Sequence, residues 1–408
     1  MTPPNVLLIV FDSLAESDLA RHTDDLPNLP LLRRGGLSFG NAYAPSPESG
    51  PARASLFTGL DMAAHGVWTD GATLPDHEVT LPERFAGAGY HTWLVGRRQL
   101  AGVSNWTTEH ARVGEYAHFD WAHGPLHRSR QNAYLSWLED TAPDQYAAIF
   151  PRQANADDTL ISAEQRAAMA ALPDSLSFNH WAGQQTLRRL TEATKNQPYL
   201  GIIGFVVGDT MGVPLRPGPC FEIMSERALA QADTAIGAIL EAVKDDPNLI
   251  LAVTAARGSV RGRESVLQRD ALNVPLFLRG KVLKSNHINE ITSTIDLAPT
   301  LYELARVPPP PRIQGRSLLS QEPRGWALAR FRHPDAPAQT ALVEAQWKLV
   351  FSHGGGKERL YDLGADPKEV SNLADDPAHK STLENMLDMT IDARVALEDR
   401  TEPRIALF

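Results

Sequence analysis

The sequence predicts an α/β fold: a doubly wound, mostly parallel sheet sandwiched by helices, followed by a small C-terminal α+β domain. Three observations predict it. Residues 5–11, 198–207 and 249–254 are short continuous apolar runs rich in β-branched side chains, the pattern of strands buried on both faces. Helical stretches lie between these runs, and strands alternating with helices imply parallel crossovers. After residue 319 the texture changes to a hairpin pair and a terminal helix. The expected organisation is therefore a large domain over 1–320 and a small one over 321–408.

In chain order, residues 5–11 end at Asp12 and Ser13, at the carboxyl end of a strand, where open α/β sheets place their ligands. Residues 26–36 read as a short helix and 37–43 as strand-like. Residues 80–89 read as a helix, and 91–95 as a second buried strand with Arg97, Arg98 and Gln99 at its end. Residues 103–178 carry scattered Trp and His without a period and are expected to be a loop-rich insertion around the site mouth. Residues 181–193 are helical. The third strand, 198–207, ends at Gly208 and Asp209.

Residues 223–243 read as an amphipathic helix with Leu229, Ala232, Ile236, Ile239 and Val243 on one face. The fourth strand, 249–254, runs into Ala255, Ala256, Arg257 and Gly258. Another strand is expected at 274–278, and a helix at 295–307 stopped by the prolines at 308–311. In the small domain, 341–351 and 359–363 flank Gly354, Gly355 and Gly356 as a hairpin pair, and 381–397 reads as a helix.

The composition excludes several function classes. The chain has 408 residues, 43% hydrophobic and 22% charged, which is ordinary globular composition. A net charge of -10 argues against nucleic acid or an anionic membrane as a partner. A single cysteine, Cys220, rules out an intrachain disulfide. No run is long enough to span a membrane, and the N-terminal residues lack a basic leader pattern, so the expected location is cytoplasmic.

The stretch that carries chemistry is 47–59. A turn-rich entry (Pro45, Pro47, Gly50, Pro51) leads into a small and apolar segment that reads as the first turns of a buried helix. Ser49 places a hydroxyl at that joint, and Arg53 follows one helical turn later, able to face the same spot. A hydroxyl and a guanidinium converging on a helix N-terminus suit a tetrahedral oxyanion such as sulfate or phosphate. The plainer reading is a Pro/Gly turn capped by Ser49.

Ser49, Pro51 and Arg53, followed by Thr58 and Gly59, resemble the signature of the sulfatase family within the alkaline-phosphatase superfamily. The resemblance runs along nearly the whole chain. Residues 5–12 are similar to the family's first strand and 89–96 to its second. Asp296 to Thr300 with Gln314 to Leu318 resemble the end of its large domain. Trp347, Tyr361, Asp362, Asp366 and Asn372 lie in segments similar to its C-terminal domain. The resemblance implies a Cys or Ser oxidised to formylglycine at position 49, with Ser49 and Arg53 as catalytic residues, and one calcium ion in an all-oxygen cage.

Against that pattern the metal positions depart. Asp12 keeps the first acid, but Ser13 stands at the second, and the late ligand pair falls on Ala256 and Arg257. Ala256 has no ligand atom and Arg257 is a permanent cation. No metal cofactor is therefore expected, and Asp12 is vestigial as a ligand. The family's anion-binding Lys and His fall on Arg97 and Gln99, a later His falls near Asp209, and the late Lys falls on Glu264 or Arg263. Arg97, Arg257, Gln99 and Asp209 are thus the expected anion-binding set. His65, His91 and His180 read as core or cap histidines rather than ligands.

Three functions stay open. The first is a sulfatase homologue with a degraded metal site that binds a sulfate- or phosphate-type anion with little turnover. The second is an active ester hydrolase using Ser49 or its formylglycine form. The third is a non-catalytic partner subunit of an active sulfatase. Homo-oligomers, or hetero-oligomers with a sulfatase, are left open.

Overall fold

The computed structural model describes residues 3–102, 109, 112–129, 131–151, 162–193, 197–209, 223–259, 266–334 and 336–398, with backbone alone at 209 and 223. Cys220, Arg261, Arg263 and Glu264 lie outside the described residues.

The large domain is built on an eight-stranded sheet. From edge to edge its strands are Asn286–Ile288, Leu37–Phe39, Leu276–Arg279, Leu249–Ala255, Asn5–Phe11, Tyr199–Phe205, His91–Gly96 and His118–Trp121. All neighbours pair in parallel except Leu276–Arg279, which runs antiparallel to both of its neighbours. The doubly wound, mostly parallel sheet that the apolar runs predict is the sheet that forms. Val6 to Phe11 are fully buried, as a strand covered by helices on both faces must be.

Register levels the ends of the central strands. Phe11 pairs with both Phe205 and Ala255, and Gly96 pairs with Gly204. Residues 12, 97, 206–208 and 256–257 therefore emerge side by side at the carboxyl edge, the usual ligand edge of such sheets. Two glycines make this edge tight. Gly96 has φ +88°, and a Cβ on Gly204 would lie 2.1 Å from the Arg97 carbonyl oxygen. A side chain at either position would push Arg97 out of line.

The structure departs from the sequence expectations in three places. Residues 223–224 are a short strand, and the helix Glu226–Val243 starts later because the Ser225 hydroxyl caps it, accepting from the Ala228 amide at 3.3 Å. The described part of 103–178 is not mainly loop. It adds the edge strand His118–Trp121 and the helices Ala133–Thr141, Pro143–Ile149 and Ala163–Ala170. These helices are short and their apolar spacing is broken by caps such as Asn132 and Ser162, so no long period shows in the sequence.

The third departure lies in the small domain. Its sheet has four antiparallel strands rather than a hairpin pair: Ala327–His333, Ala336–Val343, Trp347–Ser352 and Arg359–Asp362. One face packs on Tyr43, Leu272 and Ile291 of the large domain, and the other on the terminal helix Lys380–Ala396 through Met386 and Ala393. Ala327 to Phe331 are buried on both faces, so they lack the alternation that marks a half-exposed strand.

Candidate functional site at the carboxyl edge of the sheet

The signature stretch folds as a helix, Ser49–Thr58, in which every residue is buried. Ser49 is its first residue and Glu48 precedes it in extended conformation. The helix points its N-terminus at the sheet edge. There the Ser49 hydroxyl lies 3.4 Å from the Asp12 carbonyl oxygen, and Arg257 Nε donates to Ser49 Oγ at 3.1 Å. Three segments far apart in sequence thus meet at one hydroxyl.

Asp12 is fully buried and its carboxylate is engaged on both oxygens. Oδ1 accepts from the amides of Val207 and Gly208 at 2.8 and 3.3 Å, and Oδ2 accepts from Arg97 Nη1 at 3.2 Å. Asp12 is not a helix cap, since the next helix, Glu16–Arg21, is preceded by Ala15. Ser13 donates to the Gly258 carbonyl at 3.0 Å, which commits its hydroxyl proton there.

Arg53 is the most unusual group in the site. Its side chain is completely buried, and Nη1 donates to the Arg97 carbonyl at 3.1 Å. Nε and Nη2 are buried with no hydrogen-bond partner among the described residues. Burial first, and the neighbouring Arg97 second, push its pKa down to about 9, so it is still a cation at neutral pH. A buried cation with unspent donors is energetically costly unless an anion comes to it.

Glu48, Asp70 and His123 are site residues that sequence reasoning missed. Burial first and Asp70 second push the Glu48 carboxyl up to about 8, and its Oε2 is buried without a hydrogen-bond partner among the described residues. Asp70 accepts from the Gly50 amide at 2.6 Å and from Gln99 Nε2 at 3.1 Å. His123 follows the edge strand His118–Trp121, and its Nδ1 is buried without a hydrogen-bond partner among the described residues. Burial, then Arg97, hold its pKa well below the usual imidazole range, so it is neutral at pH 7. Glu48 lies within the 47–59 stretch but its setting depends on Asp70, and Asp70 and His123 are placed by long-range packing that local spacing does not encode.

The expected anion-binding set is divided. Arg97 and Arg257 stand with Arg53 and Ser49 at the sheet edge. Gln99 turns to Asp70 and holds a left-handed backbone, φ 59°. Asp209 lies in the two-residue strand Gly208–Asp209, and its side chain is outside the described residues. His65 is a core histidine: its Nδ1 accepts from the Val67 amide at 3.1 Å, and its Nε2 lies 2.9 Å from Ser55 Oγ. Burial pushes its pKa down to about 3. His91 packs edge-on against His118, and His180 lies in the first turn of the helix Phe178–Glu192.

The residues present do not fit a calcium cage. Calcium takes six to eight oxygen ligands. Here one carboxylate is already saturated by two amides and a guanidinium, Ser13 faces a carbonyl, Ala256 offers nothing, and Arg257 brings a positive charge. Among the described residues no group of three or more His, Cys, Asp or Glu is placed to hold a metal ion. No described helix is long and apolar enough to cross a membrane. What the arrangement offers chemically is three guanidiniums and a helix N-terminus around one hydroxyl, a setting for an oxyanion.

Comparison with known proteins agrees with this geometry. Residues 4–133 match the family model described as Sulfatase, and residues 264–395 match that described as N-sulphoglucosamine sulphohydrolase, C-terminal. An uncharacterised sulfatase of Escherichia coli, YidJ, is 23% identical over 98% of this chain and 88% of its own length. An arylsulfatase of Clostridium perfringens is 23% identical over 98% of this chain and 95% of its own. Among solved structures, the phosphonate monoester hydrolase of Agrobacterium radiobacter superposes with a TM-score of 0.78 at 19% identity, covering 99% of this chain and 98% of that one. At that identity the structural likeness speaks for the fold alone. Together with the signature at Ser49 and the two matched segments, these findings place the chain in the sulfatase family.

Proposed function

We propose that the pocket at Ser49 binds a tetrahedral oxyanion, the sulfate or phosphate group of a small ester, without a divalent cation and with little or no hydrolysis. The observation that carries this reading is Arg53, fully buried with two donor atoms unspent. Arg97 and Arg257 supply further positive charge, and Glu48 with a pKa near 8 is largely neutral at pH 7 and does not cancel it. Turnover is expected to be poor for a stated reason. Sulfatase chemistry needs an activated nucleophile and charge balance on the leaving oxygens. Arginines supply the second. They stay protonated at neutral pH, so they cannot act as the general base that the first requires. The partner we propose is accordingly a small anionic ligand rather than a macromolecule.

The test is thermal unfolding with and without sulfate in the presence of a chelator. Sulfate at about 100 times its Kd should stabilise the protein by ~2.7 kcal/mol through linkage. Arg53→Met should reduce the effect by the share that the Ser49 pocket supplies. A requirement for calcium, or sulfate stabilisation unchanged in Arg53→Met, would overturn the reading.

The retained Ser49, Pro51 and Arg53 motif supports a second reading, an active sulfuric or phosphoric ester hydrolase. Mass spectrometry of the peptide carrying Ser49 separates the two. Formylglycine at that position, with turnover of an aryl sulfate, would favour the hydrolase.

A further inference from the structure

A second basic cavity opens where the small domain meets the large one. It encloses about 310 Å³ and is lined by Trp68, Arg330, Arg332, Thr340, His353 and Arg394, among others. Arg330 lies on the strand Ala327–His333 and is 8% exposed. Its backbone amide donates to the Pro45 carbonyl at 2.8 Å, just ahead of the signature helix, which fixes the strand against the large domain. Its guanidinium reaches Asp61 Oδ1 at 3.2 Å, but its Nε is buried without a hydrogen-bond partner among the described residues. Asp61 is already occupied in part, since the same oxygen caps the helix Met62–His65 by accepting from the Ala63 amide at 2.9 Å.

The rim adds charge of the same sign. Arg332 is exposed, and its guanidinium lies 5.3 Å from the centroid of the Trp68 ring, which holds the cation over the cavity. Burial first lowers the pKa of Arg330 against the pull of Asp61, and Arg394, from the last turn of the terminal helix, is close enough to lower it further. Burial first, then Arg394 and Arg330, lower the pKa of His353, whose Nε2 lies 3.0 Å from Thr340 Oγ1. Among the described residues, three guanidiniums thus surround one cavity with Asp61 as their paired counter-charge, in a chain whose net charge is -10. A structural ion pair would need Arg330 and Asp61 alone. It would not need two further cations gathered around a hollow, where like charges repel.

We propose that this cavity is a second oxyanion site, taking a sulfate, phosphate or carboxylate group onto the buried Arg330 guanidinium between Arg332 and Arg394. It uses no residue of the Ser49 pocket, so it stands whether or not the function proposed above is right. Arg332 and Arg394 close the charge around the ligand from the rim, as arginines do where oxyanions are recognised. His353 lies against the bound group, and an anion there favours the protonated imidazole.

The probe is inorganic phosphate, and the readout is the His353 ring signal followed by NMR, assigned through His353→Gln. Arg330→Ala would leave Asp61 buried and unpaired and so destabilise the fold. The exposed rim pair, Arg332→Ala with Arg394→Ala, carries the test instead. In the native protein, millimolar phosphate should shift the His353 signal saturably and raise its pKa. In the double variant the apparent affinity at His353 should fall about tenfold, ~1.4 kcal/mol, with unfolding unchanged in the absence of phosphate. In Arg53→Met the shift at His353 should persist, because the first pocket is not involved. The proposal is overturned if no saturable shift occurs in the native protein. It is equally overturned if the double variant binds as the native protein does.

Discussion

Arg98 and Arg53 are equally buried, lie at the same edge of the sheet, and differ in almost everything else. Arg98 donates from Nε to Glu109 at 3.0 Å and from Nη1 to the Arg112 carbonyl at 3.3 Å, and its guanidinium lies 4.9 Å from the Phe119 ring centroid. Glu109 in turn accepts from the Gln99 and Leu100 amides and from Trp121 Nε1. Burial pulls the Arg98 pKa down, but Glu109 and Tyr116 outweigh it and hold the pKa up. Arg53 has Asp12 only at a distance, a cation beside it, and two donor atoms idle. A buried charge with its partners in place reads as structure. A buried charge without them reads as half of a binding site.

The sharpest way to break that contrast is to remove one group from each region. Glu109→Ala strands the Arg98 charge and several amide and indole donors in the interior. It should cost about 3–5 kcal/mol of stability. Arg53→Met removes a cation that lacks compensation and replaces it with a flexible apolar chain. It should change stability by less than about 1 kcal/mol, in either direction, because replacing a poorly paired buried charge is often neutral or favourable. Urea denaturation of both variants measures the difference. If Arg53→Met costs as much as Glu109→Ala, Arg53 is a structural residue and the contrast fails.

The same contrast explains what was legible in the sequence. The strands Asn5–Phe11 and Leu249–Ala255 were readable because burial on both faces leaves a continuous apolar run. Ser49, Arg53, Asp12, Arg97 and Arg257 were readable because each stands at a fixed offset from a strand end or helix start. Glu109 was not, because its partners Arg98, Gln99, Leu100 and Trp121 span residues 98–121 and follow no period. Glu48 was hidden differently. It is next to Ser49 in the chain, but its raised pKa comes from burial and from Asp70, which a tertiary contact brings near. The strand Ala327–His333 was missed because both of its faces are covered within an otherwise alternating domain.

A second test bears on whether the Ser49 pocket is as positive as the contrast requires. The Glu48 pKa is raised from 4.5 to about 8, by burial first and then by Asp70, against the opposing pull of Thr69 and Arg257. The unfolded chain ionises Glu48 near 4.5 while the folded chain keeps the proton. Its contribution to stability is therefore greatest below pH ~4.5 and is lost as pH rises toward about 8. The slope from one such group is at most about 1.4 kcal/mol per pH unit, so about 2.7 kcal/mol between pH 5.5 and 7.5. Glu48→Gln should flatten this part of the pH profile and stabilise the protein at pH 7.5 relative to the native chain. Between pH 7 and 8, below the Arg53 pKa, oxyanion binding should also weaken in the native protein and not in the variant. Identical pH profiles would mean that Glu48 is ionised at neutral pH and that a carboxylate faces the anion.

The smallest expected effect sharpens the contrast most, because it asks whether the region at Asp12 is an altered site within an intact frame. Positions 12, 13, 256 and 257 are pinned together by backbone bonds: the Ala256 amide to the Phe11 carbonyl at 2.8 Å, and the Leu14 amide to the Arg257 carbonyl at 3.0 Å. The triple change Ser13→Asp, Ala256→Asp and Arg257→His removes a guanidinium and adds two carboxylates and an imidazole beside Asp12. Calcium binding should appear. It should be weak, because Arg97 still holds Asp12 Oδ2 and must yield for that oxygen to ligate. At calcium about ten times its Kd, linkage gives only ~1.4 kcal/mol of stabilisation. Aryl sulfate turnover need not follow, since Arg97 and Gln99 still replace the family's usual anion contacts. Calorimetry on a folded triple variant decides the matter. Heat on adding calcium, with a matching rise in Tm, would show that the frame still converges and only its side chains changed. No heat and no rise would mean that the strand ends do not present those positions to a common centre, and the pocket built around Arg53 would then need another geometry.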